Sequence, residues 1–364
     1  MSECILLPLF QKADGKNIDY ILGAKMLILN GLEDNFVFDN PVVTIGNFDG
    51  VHIGHQKICK KVVMTAKQVG GTSICISFDP HPVRVLSPER GLKMLTQLDD
   101  KAKLLSELGL KALIIIPFDK KFSQTEPEDF IKKILIEKLG IKWLVVGHNF
   151  SFGKRKKGNT NLLRQKAKKY GFGFSVVRYA KIEGSIVSSS RLRGALQRGR
   201  VFEASAMLGR AYHVKGIVIK GTGRGSTILN IPTANIQSNN EIIPKDGVYA
   251  VRVTLCSQMN NLESSPQNEV VGKIMPKCKI YEGAANIGNN PTFGDIYNTS
   301  LEVHIFDFNR NLIGKELLVH FIERIRDEKK YPDIETLQRQ IEEDIQTAKK
   351  ILKKRKPPLF LGAD

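Results

Sequence analysis

Long apolar runs are missing from this 364-residue chain. Its longest apolar stretches, such as Ala112–Phe118, are strand-length, far short of the roughly 20 residues that cross a bilayer. Paired cysteine spacing is missing too. The five cysteines (Cys4, Cys59, Cys75, Cys256, Cys278) include no CxxC, which argues against a zinc site or a disulfide framework and predicts reduced thiols. A leader is not apparent: Glu3 precedes the short apolar run Ile5–Phe10, with no basic region or small-residue cleavage site around it. A cytoplasmic location, with no membrane partner, is therefore expected. Acidic residues are scarce beside basic ones, 37 against 55, for a net charge of +18. Such an excess suits nucleic acid or polyanionic small molecules. The dense blocks Lys154–Lys157 and Lys349–Lys356 lack interleaved aromatics on which bases would stack. That favours small anions, and no nucleic-acid partner is expected. Internal repeats are absent as well.

What is present reads as two domains. Hydrophobic residues at 42% and charged residues at 25% are globular values, and the length is comfortable for two cores. From Pro41 to Val177, strand-like runs at Val42–Gly46, Ser73–Phe78, Ala112–Pro117, Trp143–Gly147 and Phe174–Val177 alternate with helical ones. Ile58, Val62, Ala66 and Val69 keep helical spacing before Gly70-Gly71 stops them. Continuous apolar strands alternating with helices imply a parallel sheet covered on both faces, a Rossmann-like α/β domain. Ligands of such sheets bind beyond the carboxyl ends of the strands. Beyond Arg210 the pattern becomes short strands at Val214–Ile219, Gly247–Leu255, Tyr281–Ile287, Leu301–Phe306 and Leu317–Ile322. These imply a small antiparallel β-barrel. A closing helix is striped by Ile334, Leu337, Ile341, Ile345, Ala348 and Leu352. The polar stretch Ser257–Glu269 is expected to be a loop insertion. The expected domains are residues 1–203 and 204–364.

Two glycine-rich constellations carry the chemistry. The first runs Val42-Val-Thr-Ile-Gly46-Asn-Phe-Asp49-Gly50-Val-His52-Ile-Gly54-His55, from a strand through a turn into a helix. Gly46, Gly50 and Gly54 let the backbone approach a ligand, and the helix start offers free N–H groups to an anion. His52 and His55, three apart, share a helix face and can donate to one phosphate group. The second is Gly221-Thr-Gly223-Arg224-Gly225-Ser226, leading to Asn230-Ile-Pro232-Thr233-Ala-Asn235. It lacks the GK[ST] of a Walker loop, and no DFG or HRD accompanies it.

The HxGH pair resembles the nucleotidyltransferase superfamily, in which class I aminoacyl-tRNA synthetases also share it. Three further segments narrow the likeness: Phe78-Asp-Pro-His-Pro82, Gly147-His-Asn149-Phe-Ser-Phe-Gly153 and Val187-Ser-Ser-Ser-Arg191-Leu-Arg193. In this order they look like the adenylyltransferase module of prokaryotic FAD synthetases, over roughly residues 40–205. The Pro-Thr-Ala-Asn ending resembles the riboflavin kinase signature. It is followed in order by Asp246-Gly-Val-Tyr249, Asn286-Ile-Gly-Asn-Asn-Pro291-Thr-Phe293, Leu301-Glu302-Val-His304 and Ile325-Arg326-Asp-Glu328. That resemblance spans about residues 206–353.

The resemblance implies a bifunctional enzyme that phosphorylates riboflavin to FMN and adenylylates FMN to FAD, with ATP as co-substrate and Mg²⁺ as cofactor. In the first module the FMN phosphate, with a second pKa near 6, is already a nucleophile and needs no base. His52 and His55 would stabilise the transferring phosphate. Arg191 or Arg193 would meet the departing pyrophosphate, with Ser189 and Ser190 at a helix start beside them. Asn149 would touch nucleotide or metal, Asp49 belongs to the phosphate turn, and Phe78–Pro82 reads as either a structural turn or a flavin or ATP contact. In the second module Thr233 and Asn235 would bind Mg²⁺ and ATP phosphates. Glu302 would take the proton of the attacking ribityl hydroxyl, and Arg326 and Glu328 would contact the flavin. One departure is Asn230, which stands where that family has glycine; asparagine is the best substitute where positive φ is needed. Rival readings fit less. A synthetase or RNA-binding protein would lack its anticodon-binding region and KMSKS loop, and an adenylyltransferase for another acceptor leaves the kinase half unexplained.

Overall fold

The computed structural model describes residues 10–12, 18–21, 26–32, 37–220, 232–256, 278–290 and 298–358. The chain divides into two compact units, Met1–Val187 and Ser188–Asp364. Residue 204, where the second domain was expected to begin, lies inside the helix Val201–Leu208.

The first unit is an α/β sheet. Its strands are β1 (Phe10–Lys12), β2 (Ile18–Ile21), β3 (Leu27–Asn30), β4 (Val42–Ile45), β5 (Ser73–Asp79), β6 (Ala112–Pro117), β7 (Trp143–Gly147) and β8 (Gly173–Val177). They lie in the order β1-β2-β3-β6-β5-β4-β7-β8. Every pairing from β3 to β8 is parallel, and the antiparallel β1–β2 hairpin extends one edge. Three of these strands, β1 to β3, were not expected from the sequence. The helix α1 (Ile53–Gln68) buries Cys59, Val62, Thr65 and Ala66. The helices α2 (Leu98–Glu107) and α3 (Thr160–Tyr170) bury Leu104 and Leu105, and Leu163 and Ala167. All four residues of β4 are buried, which is why three of them are β-branched aliphatics and Thr44 is its one polar residue. Since β4 pairs with β5 on one side and β7 on the other, the winding reverses beside it. The crevice beyond such a reversal is where open α/β sheets bind ligands.

The second unit is a closed barrel. The strands β9 (Tyr212–Ile219), β10 (Ala234–Ser238), β11 (Gly247–Cys256), β12 (Cys278–Asn290), β13 (Asn298–Ile305) and β14 (Glu316–Arg326) run in the order β9-β10-β13-β12-β11-β14. All pairings are antiparallel, and β14 returns to β9 to close the ring. Tyr249 and Phe321, both fully buried, meet edge to face at 5.2 Å in its core. β10 was not expected; Ala-Asn-Ile-Gln-Ser carries too few β-formers to announce a strand. Ahead of the barrel come α4 (Ser189–Gln197) and α5 (Val201–Leu208). Behind it, α6 (Ile334–Lys354) is capped by Asp333, whose carboxylate accepts the Thr336 N–H at 2.7 Å. Ala348 and Leu352 of α6 are buried against Ala211, Ala250, Phe306 and Ile322, as the stripe requires.

Cysteine chemistry differs between the units. Cys59 and Cys75 are free and buried, and burial pushes the Cys59 thiol up to about 12, so both act as small hydrophobes. Cys278 is disulfide-bonded, which corrects the expectation of reduced thiols throughout. The antiparallel register sets Cys278 opposite Cys256, a juxtaposition that spacing along the chain does not reveal. The segments 221–231 and 257–277, with the expected loop at Ser257–Glu269 and Asn230, lie outside the described residues.

Candidate functional site

The first site begins where β4 ends. Gly46 extends the ladder, its N–H donating to the Ile76 carbonyl at 3.0 Å. Phe48 (φ 49°) and Val51 (φ 40°) then hold left-handed backbone, although one is bulky and the other β-branched. Each costs about 1–3 kcal/mol and persists only where its surroundings over-determine it. Both side chains are buried, and polar contacts grip the turn. The Asp49 carboxylate, 2% exposed, accepts the N–H groups of Leu95 and Thr96 at 3.0 and 3.2 Å. In return Gly50 donates its N–H to the Thr96 hydroxyl at 2.7 Å.

His52 is the N-cap of α1. Its Nδ1 accepts the His55 N–H at 3.3 Å, so the neutral ring keeps its proton on Nε2 and can donate there. The two imidazoles stack with centroids 3.7 Å apart and planes 14° from parallel. Glycine at 54 makes room for this. A Cβ there would stand 3.0 Å from the His52 ring. Desolvation, followed by the nearby His52 and Lys101, pushes His55 well below the ordinary imidazole value. His55 is thus neutral near pH 7 and offers hydrogen bonding without charge.

Asn149 is exposed, two residues past the end of β7, the neighbour of β4. In the Phe78–Pro82 segment, Phe78 meets Phe118 edge to face at 5.7 Å. His81 accepts the Val83 N–H at 3.2 Å and caps a short helical turn. The serine-arginine motif opens α4 in the second compact unit. Ser188 is its N-cap, accepting the Arg191 N–H at 3.3 Å, so Ser189 and Ser190 stand in the first turn as expected. The Arg191 guanidinium pairs with Glu203 at 3.0 Å, and Arg193 is half-buried.

The second site lies on the barrel wall. Asn235 of β10 and Asn286 of β12 both stand opposite Glu302 of β13, one on each side. Residues paired this way face the same side of a sheet at about 4.5–5.5 Å between Cβ atoms. Leu301 and Val303 point into the core and are buried, leaving Glu302 half-buried on the outer face. Thr233, two residues before Asn235, is half-buried. The His304 ring bonds the Pro232 carbonyl at 2.9 Å and so ties the Pro-Thr-Ala-Asn segment to β13. The hydroxyl of Thr233 and the amide of Asn235 are hard oxygen donors, the kind Mg²⁺ takes while sharing phosphate oxygens. Arg326 forms a forked ion pair with the buried Asp344, at 3.0 and 2.7 Å. Glu328 is exposed, yet its carboxylate covers Gly288, where any Cβ would run into it. Gly221, Gly223, Arg224, Gly225 and Ser226 lie outside the described residues.

Sequence reasoning missed Lys101, Ser77 and Thr96 behind the first turn, and Asn286 and His304 beside the second. Asn286 and His304 sat inside quoted motifs without a role. Lys101 gave no signal, because a lysine on a polar helix reads as solvated.

Comparison with known proteins agrees with both halves. A model of the FAD synthetase family matches residues 37–191, and a model of the riboflavin kinase family matches residues 208–352. The bifunctional riboflavin kinase/FMN adenylyltransferase of Buchnera aphidicola subsp. Acyrthosiphon pisum (strain APS) is 33% identical over 88% of this chain and 96% of its own length. Its counterpart in Bacillus subtilis (strain 168) is 36% identical over 84% and 91%. Among solved structures, that of a macrolide-efflux protein from Streptococcus pneumoniae superposes with a TM-score of 0.77 at 27% identity, covering 88% of this chain and 98% of that one.

Proposed function

The chain belongs to the bifunctional riboflavin kinase/FMN adenylyltransferase family, and from that premise we propose which residues perform each of its two reactions. It phosphorylates riboflavin to FMN and transfers an adenylyl group to FMN, forming FAD. ATP is the co-substrate that fits both families.

For adenylyl transfer, FMN brings a phosphate that is already deprotonated, so the site needs donors and an in-line pose, not a base. His52 donates from Nε2 and the neutral His55 beside it donates to the same transferring phosphate. Gly46, Asp49, Gly50 and Gly54 shape the turn that holds them. Asn149 binds nucleotide, and Ser189, Ser190, Arg191 and Arg193 receive the pyrophosphate. For the kinase reaction, Gly221, Gly223, Arg224, Gly225 and Ser226 cradle ATP. Thr233 and Asn235 would hold Mg²⁺, which supplies positive charge to the phosphate oxygens when bound. Glu302 accepts the proton of the ribityl hydroxyl. Arg326, steadied by Asp344, and Glu328 contact the flavin. The functional boundary follows the proposed domains, 1–203 for adenylylation and 204–364 for phosphorylation, acting in the cytoplasm.

One observation carries this reading above the rest. Two stacked imidazoles at a helix start offer donors to the substrate that needs no base, and Glu302 stands between two asparagines where a hydroxyl must lose its proton. Incubation with riboflavin, ATP and Mg²⁺, with flavins resolved by chromatography, should show FMN and then FAD. Failure to make FAD from supplied FMN would remove the adenylyl half, and failure to make FMN the kinase half.

A further inference from the structure

Lys101 is buried, with 4% of its surface exposed, on the first turn of α2. Its ammonium lies 3.4 Å from the Asn47 carbonyl and 3.2 Å from the Ser77 hydroxyl. That hydroxyl itself donates to Asn47 at 3.4 Å. Asn47 is the second residue of the turn that carries His52 and His55. A few residues earlier on the same segment, Leu95 and Thr96 hold Asp49 and Gly50. Residues 95–101 therefore grip the turn at Asn47, Asp49 and Gly50, bracketing the left-handed Phe48.

We propose that Lys101 is a positioning residue for adenylyl transfer, its buried ammonium fixing the Asn47 carbonyl and with it the turn that aims the histidine pair. This rests on the assignment of the first site to adenylylation. Burying a lysine is unfavourable unless it is bonded and near negative charge. Here Ser77 and Asn47 supply the bonds, and Asp49 and Asp79 the charge. Desolvation nonetheless lowers the lysine from its ordinary value. The same cation helps hold His55 neutral; the titratable groups that act on His55 are His52 and Lys101, and Phe48 lies against its ring. Without Lys101 the strained turn loses one of its restraints, and the imidazoles lose their aim.

The test is Lys101→Met in the full chain, which keeps length and removes charge. The wild type must first convert FMN to FAD; if it does not, the functional reading fails and Lys101 is not at issue. In the variant, kcat for FMN adenylylation should fall by ~10–100-fold, the penalty of a small misplacement, with KM for ATP changed far less. Riboflavin phosphorylation and the melting temperature should hold. The NMR titration midpoint of His55 should rise as its positive neighbour disappears. A folded Lys101→Met protein with wild-type adenylylation overturns the proposal. Should that variant melt early, Ser77→Ala decides, because it weakens the same grip and leaves the charge in place. A fall in kcat with a normal melt supports the grip, and an unchanged kcat overturns it.

Discussion

The two units set their candidate groups for phosphate transfer in opposite ways. In the parallel sheet the proposed histidine pair follows a tight turn at a strand's carboxyl end, whose left-handed Phe48 and Val51 are held by buried contacts from behind. In the barrel the proposed base, Glu302, stands on regular strand, placed by its neighbours across the ladder. Acidic groups show the contrast most clearly. Asp49 turns its carboxylate to the backbone N–H groups of Leu95 and Thr96, while Glu302 is left half-buried on the outer face. A phosphate nucleophile is repelled by a carboxylate, and a hydroxyl nucleophile needs one. On the proposed assignment, the chemistry of each acceptor decides where acid is tolerated.

The largest expected effect breaks the first unit alone. Replacing His52 and His55 together by alanine removes two donors, each worth roughly 2–4 kcal/mol in the transition state. FAD synthesis should fall by several orders of magnitude while riboflavin phosphorylation continues, so the reaction stalls at FMN. Separate chromatographic readings of FMN and FAD beside a thermal melt check this. Sustained FAD production by a well-folded double variant would end the comparison.

Next comes the mirror change. Glu302→Gln keeps size and polarity but removes the basic oxygen, and flavokinase kcat should drop by roughly 10² to 10⁴. Adenylylation of supplied FMN should persist. If phosphorylation stays near normal, Glu302 is only an outward residue of an alternating strand.

A third experiment separates stability from chemistry. Leu352→Ala empties a fully buried position between α6 and the barrel and should cost about 2–5 kcal/mol. The barrel's melting transition should fall, measured on a fragment beginning at Ser188, which should make FMN but no FAD. Equal stability in the variant would mean that α6 contributes little to the barrel.

The smallest effect concerns pH. His320 is fully buried beside Thr254, and desolvation first, then His213 and Arg252, push it well below the ordinary imidazole value. Its folded value is lower than its unfolded one, so below about pH 6.5 the unfolded chain binds the extra proton. Barrel stability is then flat above that pH and declines as pH falls through it, by up to about 1.4 kcal/mol per pH unit. His320→Gln should flatten the decline in melts between pH 7 and 5. An unchanged slope would move the effect elsewhere.

Much of this was legible beforehand because it is local. Apolar continuity marked β4 to β7, since strands buried on both faces tolerate few polar residues. The His52-Ile-Gly-His55 spacing marked a pair of imidazoles at a helix start, since three residues of helix bring two rings together. Alternation marked β13 and left Glu302 outside the core. Where the expectation fell short, the deciding partner was distant in sequence. β10 is a strand because β9 and β13 flank it, and its own five residues scarcely ask for one. Cys278 is bridged in a region where an antiparallel register, not chain spacing, sets the neighbours.

The sequence by itself determined the two fold classes, the order of the motifs and the residue types that stand in them. Those follow from periodicity and from chemistry that nearby residues supply. Tertiary structure alone decided that the winding reverses at β4, that Asn286 joins Asn235 beside Glu302, and that Asp344 takes Arg326 in a forked pair. It also decided that Lys101 lies beneath the histidine turn and not in water. The physical reason is that a charged side chain's burial depends on what packs over it, and that is settled only when segments far apart in the chain meet.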